Sequence, residues 1–185
     1  YAQPANDLCG NAEEIIIVGG TGTGSGFTGS GTSVGAPPNC GDVTNAGAKG
    51  VWYTFTGTGM TLYEISTCSD FTDYQTEISV FTGSCGAFTC VGSYDDDGSC
   101  SSGSMLSTLK VNPLVNTTYY IYVKGTEGES GNLNLDINDL GPANCATDTE
   151  APVFKNCPDD IVITDNTGSC RRLVTWTQPT IEDNC

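Results

Sequence analysis

The apolar residues of this chain come in short bursts that stop at glycine, proline or asparagine. Glu14–Val18 is a brief apolar run closed by Gly19-Gly20, too short for a helix, and it reads as a strand. Val51-Trp52-Tyr53-Thr54-Phe55-Thr56 carries the strongest strand signal, being aromatic and β-branched and halted by Gly57 and Gly59. Thr61–Thr67, Ile78–Thr82, Thr89–Tyr94, Met105–Val111 and Thr118–Val123 follow as further strands. In Asn132–Asn138 the apolar Leu133, Leu135 and Ile137 alternate with Asn132, Asn134, Asp136 and Asn138, which predicts one buried face and one solvated face. No stretch carries a helical period. About nine short strands separated by turn residues predict an all-β fold over residues 1–140, a disulfide-stabilised, jelly-roll-like sandwich.

Two passages need separate treatment. Gly19–Gly35 is almost wholly Gly, Thr and Ser and reads either as a flexible linker or as an edge strand around Phe27–Val34; the two apolar anchors Phe27 and Val34 favour the strand. Thr76–Cys100 reads as a hairpin whose two strands flank Cys85 and Cys90 and whose exit carries three consecutive acids, Asp95, Asp96 and Asp97. Leu140–Glu150 breaks the pattern, so residues 141–150 are expected to be a linker. Beyond it, Ile161–Thr164 and Leu173–Trp176 predict a hairpin turned at Asp165-Asn166-Thr167-Gly168.

Charge narrows the partners. Six basic residues against twenty-two acidic ones give a net charge of −16, which disfavours nucleic acid and anionic lipid surfaces. Ten cysteines and no histidine argue for disulfides in an oxidising compartment rather than for zinc. The absence of histidine also excludes Ser-His-Asp and Cys-His catalysis, and no carboxylate pair stands out for acid–base work, so the chain reads as non-enzymatic. The start at Tyr1 and the lack of an apolar run long enough to span a bilayer suggest a processed, secreted, soluble segment.

Candidate sites follow from the same residues. Asp95, Asp96 and Asp97, with Asp70 and Asp73 from the loop after Cys68 to complete the shell, form a candidate calcium site, the only cofactor the sequence suggests; the rival reading is a solvated turn. The simplest disulfide pairing is Cys9–Cys40, Cys68–Cys100 and Cys85–Cys90, leaving Cys145, Cys157, Cys170 and Cys185 to the boundary and the tail. Asn116-Thr117-Thr118 is the single N-glycosylation sequon, placed in a turn before a strand, and the Thr/Ser-rich stretch 20–35 suits O-linked sugar. Tyr63, Tyr74 and Tyr94 are strand tyrosines, better suited to packing than to stacking on sugar rings.

The tail resembles the first half of a hyalin-repeat (HYR) domain. The likeness is carried by Ala151-Pro152-Val153-Phe154, Asn156-Cys157-Pro158, Val174-Thr175-Trp176, Pro179 and Asp183-Asn184-Cys185. It implies part of an immunoglobulin-like sandwich over residues 151–185, of the kind found in extracellular and adhesive proteins. Residues 6–138 resemble secreted microbial β-sandwich modules found in tandem with such repeats, through Asn6-Asp7-Leu8-Cys9, Gly50–Gly57, Ser66-Thr67-Cys68, Ile78–Cys85 and Tyr119–Gly125. Gln75-Thr76 stands where that pattern has Asp-Thr. These resemblances imply an extracellular structural or adhesive protein, a repeating subunit of a fibre or surface assembly. Ile161, Ile163, Val174 and Trp176 would complete a sandwich with strands from further chain or from another copy. The alternative is a carbohydrate-binding module of a secreted multidomain protein, which would bind glycans through an aromatic platform or a calcium-lined groove.

Overall fold

A computed structural model of the chain describes residues 2–59, 61–95, 100 and 105–142, together with the backbone of Val153–Lys155 and Thr180–Glu182. The chain divides into two compact units, Tyr1–Ala143 and Asn144–Cys185. In the first unit the strands are β1 (Glu13–Glu14), β2 (Thr21–Phe27), β3 (Gly50–Thr56), β4 (Thr61–Ser66), β5 (Thr76–Ser84), β6 (Ala87–Asp95), β7 (Thr108–Val111), β8 (Thr118–Gly125) and β9 (Asn132–Pro142). They form a five-stranded sheet ordered β1-β3-β8-β5-β6 and a four-stranded sheet ordered β2-β9-β4-β7. From β2 onward successive strands switch sheets except at the β5–β6 hairpin, which is the winding of a jelly-roll sandwich. In the second unit β10 (Val153–Lys155) pairs antiparallel with β11 (Thr180–Glu182).

The core lies between the inner faces. Val51, Tyr53 and Phe55 of β3, Ile121 and Val123 of β8, and Ile78 and Val80 of β5 meet Tyr63 and Ile65 of β4 and Leu133, Leu135 and Ile137 of β9. The alternation in Asn132–Asn138 resolves as expected: the three apolar side chains are buried and the Asn and Asp residues line the outer face.

β3 reads as a continuous apolar run because its sheet is covered on both faces. On the outer face Trp52 packs with Phe81, Tyr122 and Cys40, and Phe88 stacks on its ring at 5.1 Å. The cover is the N-terminal arm and the stretch 28–49. Asn6 Nδ2 donates to the Trp52 carbonyl and the Trp52 N–H donates back to the Asn6 carbonyl. Asp7, buried at 2% exposure, accepts the N–H and hydroxyl of Thr32 and the amide of Gln3. Trp52 Nε1 donates to the Gly35 carbonyl at 3.1 Å.

Disulfides fasten this cover, and they correct the expected pairing. Cys68–Cys100 forms as expected, but Cys9 bonds Cys85 and Cys40 bonds Cys90. The hairpin turns tightly at Cys85-Gly86, where Ser84 faces Ala87, so the residue opposite Cys90 is Phe81. Cys90 lies three residues up β6 from that turn, about 10 Å along an extended strand, beyond the reach of a disulfide. Each hairpin cysteine therefore faces the cover, and the two covering segments are bonded to the hairpin rather than to one another. Cys145, Cys157, Cys170 and Cys185 lie outside the described residues.

Other boundaries shift for physical reasons. The Gly/Thr/Ser stretch does form a strand, but over Thr21–Phe27, not Phe27–Val34. Its glycines point inward because a Cβ at Gly24 would sit 2.7 Å from the Tyr53 ring and one at Gly22 2.6 Å from Ile15. Val34 is 83% exposed and anchors nothing. Of Glu14–Val18 only Glu14 lies in a strand, β1, which pairs in parallel with β3; Ile15 enters the core while Ile16 and Val18 face solvent. Met105–Ser107 leaves the ladder because the Ser107 N–H binds the hydroxyls of Thr67 and Thr76. At the other end β9 runs on to Pro142, so residues 141 and 142 belong to the sandwich rather than to a linker. The rest of the expected linker, 143–150, lies outside the described residues.

Candidate functional site

The β5–β6 hairpin and its neighbour β8 bring one pair of charges into the protein. Glu77 and Lys124 are cross-strand partners on the outer face of the five-stranded sheet. Lys124 is 5% exposed and Glu77 8%, and Lys124 Nζ donates directly to Glu77 Oε2. Burying two charges costs several kcal/mol each before pairing offsets it (roughly, by effective desolvation penalties). Such a pair persists where its geometry is fixed, here by the β5–β8 ladder.

The pair forms the floor of a groove. Two hollows of about 520 and 340 Å³ share Asp42 and Glu77 in their linings. The larger is walled by the Asp42–Lys49 loop and by Gly125–Ser130, the smaller by Gly41–Val43 and Ser93–Asp95. Asp42, Glu77, Asp95 and Glu127 outnumber Lys49 and Lys124 around them, so the groove is acidic. Asp95 is also the cross-strand neighbour of Glu77, and its carboxylate accepts the Thr126 hydroxyl at 3.2 Å.

Beside the groove runs an open sheet edge. Among the described residues no strand pairs with the far side of β6, nine residues long, where Val91 and Tyr94 are each 44% exposed. Val80 pairs with Gly92 and Phe81 with Cys90, so Val91 is the extra residue of a β-bulge.

The sequence-derived candidates distribute unevenly over this surface. Asp95 lines the groove, whereas Asp96 and Asp97 lie outside the described residues. Asp73 is occupied elsewhere, accepting the backbone N–H and side-chain amide of Asn132 at 2.7 and 2.8 Å, and Asp70 is exposed. Among the described residues no three His, Cys, Asp or Glu side chains group closely enough to hold a metal ion. Asn116 sits exposed in the turn before β8, in the left-handed region at φ 55°, an orientation its short amide side chain tolerates. Tyr63 and Tyr74 are core residues at 1% and 6% exposure, and Tyr63 shares a hydrogen bond with Thr58 at 2.7 Å. Ile161, Ile163, Val174 and Trp176 lie outside the described residues.

Glu77, Lys124 and Asp42 were not singled out from the sequence. The available signal was a lone charge inside an otherwise apolar strand, in Thr76-Glu77-Ile78-Ser79-Val80-Phe81 and in Tyr120-Ile121-Tyr122-Val123-Lys124. Near this face, burial raises the Tyr122 hydroxyl well above the ordinary phenol range, and Asp7 adds to the effect. Its hydroxyl donates to the Ala48 carbonyl at 2.9 Å.

Disulfides of this number form in an oxidising compartment, and the chain is an exported or extracellular protein. Among the described residues no helix is long and apolar enough to cross a membrane. No protein-family model matches the chain, and no curated protein matches it. Among solved structures it is similar to a periplasmic inhibitor of g-type lysozyme from Aeromonas hydrophila, at 12% identity and a TM-score of 0.42, over 69% of this chain and 95% of that one.

Proposed function

We propose that the protein is a non-enzymatic structural or adhesive module of an extracellular fibre or surface assembly, joined to its neighbours by β-strand complementation along β6. The observation that carries this reading is that, among the described residues, no strand pairs with the outer side of β6, beside the acidic groove. An edge strand presents a row of unpaired backbone N–H and C=O groups, which another strand satisfies with little reorganisation. The hairpin supplying that edge is braced by two disulfides, so its position is set before a partner arrives.

The partner strand comes from another copy or an adjoining repeat. Charge favours a basic one, and the sequence holds its only two arginines at Arg171-Arg172, directly before the apolar Leu173–Trp176. A head-to-tail contact of this kind propagates into a filament when its rotation does not close a ring.

The test is Val91→Lys, which puts a charge on the edge and repels a basic strand. Sedimentation and electron microscopy of the full chain should show polymers for the wild type that shorten with rising salt and disappear in the variant, with the melting temperature unchanged. A wild type that stays monomeric at high concentration, or a variant that polymerises normally, would defeat the proposal.

A further inference from the structure

The outer face of the four-stranded sheet carries a second surface, remote in topology from β6. Phe71 is 79% exposed, in the loop between β4 and β5. It lines a hollow of about 410 Å³ together with Ser25, Asn132 and Asn134. An isolated exposed phenyl ring on a mobile loop would mean little, but the two residues that follow Phe71 are tied to β9. The Asn134 N–H donates to Thr72 Oγ1 at 3.1 Å, and Asp73 holds both the backbone and the side chain of Asn132. Phe71 is therefore presented by residues directly tied to β9 while its own ring is left out of the core.

The polar groups beside it are ordered too. Asn134 Nδ2 donates to Asp136 Oδ2 at 3.0 Å, and Thr23 Oγ1 donates to Asp136 Oδ1 at 2.8 Å, so amide and carboxylate orientations are set across β2 and β9. With their amide nitrogens engaged, Asn132 and Asn134 keep carbonyl oxygens of fixed orientation next to the ring, and Ser25 adds a hydroxyl.

We propose that this hollow binds an uncharged glycan, one sugar ring lying on Phe71 with its hydroxyls met by Ser25, Asn132 and Asn134. A pyranose has an apolar C–H face and a rim of hydroxyls, and this surface offers one flat apolar platform edged by oriented acceptors. The net charge of −16 and the neighbouring Asp73 and Asp136 select against uronic or sulfated chains.

The experiment titrates the full-length protein with neutral hexasaccharides of the cello, xylo, manno and chito series, and with heparin-derived and alginate oligomers, by calorimetry. At least one neutral series should bind and the anionic oligomers should not. Phe71→Ala should weaken that binding about tenfold, the scale of one lost stacking contact. Its melting temperature should not move, because the ring is exposed, and Phe71→Trp should retain binding. Absence of binding to every neutral series, preference for the anionic oligomers, or full affinity in Phe71→Ala would each overturn the assignment. Since β6 is untouched, polymer formation by Phe71→Ala tests the assembly separately.

Discussion

Removing the Cys40–Cys90 disulfide examines how the outer cover is held. The bond closes a loop with a sequence separation of 50. Releasing a loop of that length adds about 4 kcal/mol of unfolded-state entropy on the chain-entropy model. Against a stability of about 5–15 kcal/mol for an ordinary domain, that is a large share. The structure adds a local consequence. Cys40, at 1% exposure, packs in the cluster of Trp52, Phe81 and Tyr122, so freeing it loosens the 28–49 stretch over the indole.

The double variant Cys40→Ala/Cys90→Ala should therefore unfold at lower guanidinium with the full loss, and Trp52 emission should shift red before the circular dichroism changes. Trp176→Phe serves as the background, since the chain has only these two tryptophans. A loss of less than about 1 kcal/mol, or non-reducing peptide maps that return Cys9–Cys40, would refute both the connectivity and the reasoning.

Three further outcomes follow from the packing. Lys124→Met leaves Glu77 buried and unpaired and should destabilise by about 3–5 kcal/mol, while Glu77→Leu/Lys124→Met should recover most of it; equal losses in chemical denaturation would contradict the buried pair. Gly24→Val drives a side chain into the Tyr53 ring and should cost about 1–3 kcal/mol, whereas Thr21→Val on the exposed side of the same strand should stay within about 0.5 kcal/mol. Burial raises the hydroxyls of Tyr53, Tyr74 and Tyr122, with Glu13 adding to the first and Asp73 to the second. Folding then keeps protons that the unfolded chain releases above the ordinary phenol value near 10 (approximately), so stability is intact below that pH and falls above it, by up to about 4 kcal/mol over one unit for the three together. Tyrosinate absorbance should show these three ionising only as the protein unfolds; eight tyrosines titrating together in a folded protein would speak against it.

Much of the sandwich was legible because period-two patterning is local. Leu133, Leu135 and Ile137 announced the inner face of β9 without any knowledge of their neighbours, and Val51–Thr56 announced a strand, while the cover over Trp52 on its outer face came only from the structure. β2 was harder. Its inward residues are glycines, chosen by the volume of Tyr53 and Ile15 rather than by their own hydrophobicity, so the usual apolar signal is missing and the strand was displaced toward Phe27 and Val34. The groove was legible only in part, since Asp95 stood out in a run of acids while Glu77 and Lys124 matter through a cross-strand pairing between segments 47 residues apart.

The sequence alone determined an all-β chain of short, turn-punctuated strands, acidic and cysteine-rich, suited to an oxidising compartment. Tertiary structure decided which cysteines meet, which strand glycines face the core, that Phe71 stays outside it and that, among the described residues, no strand pairs with the outer side of β6. The division has a physical cause. Backbone propensity and side-chain alternation act over a few residues, whereas a disulfide, a close-packed ring or a buried ion pair depends on distances between strands that only the winding of the two sheets sets.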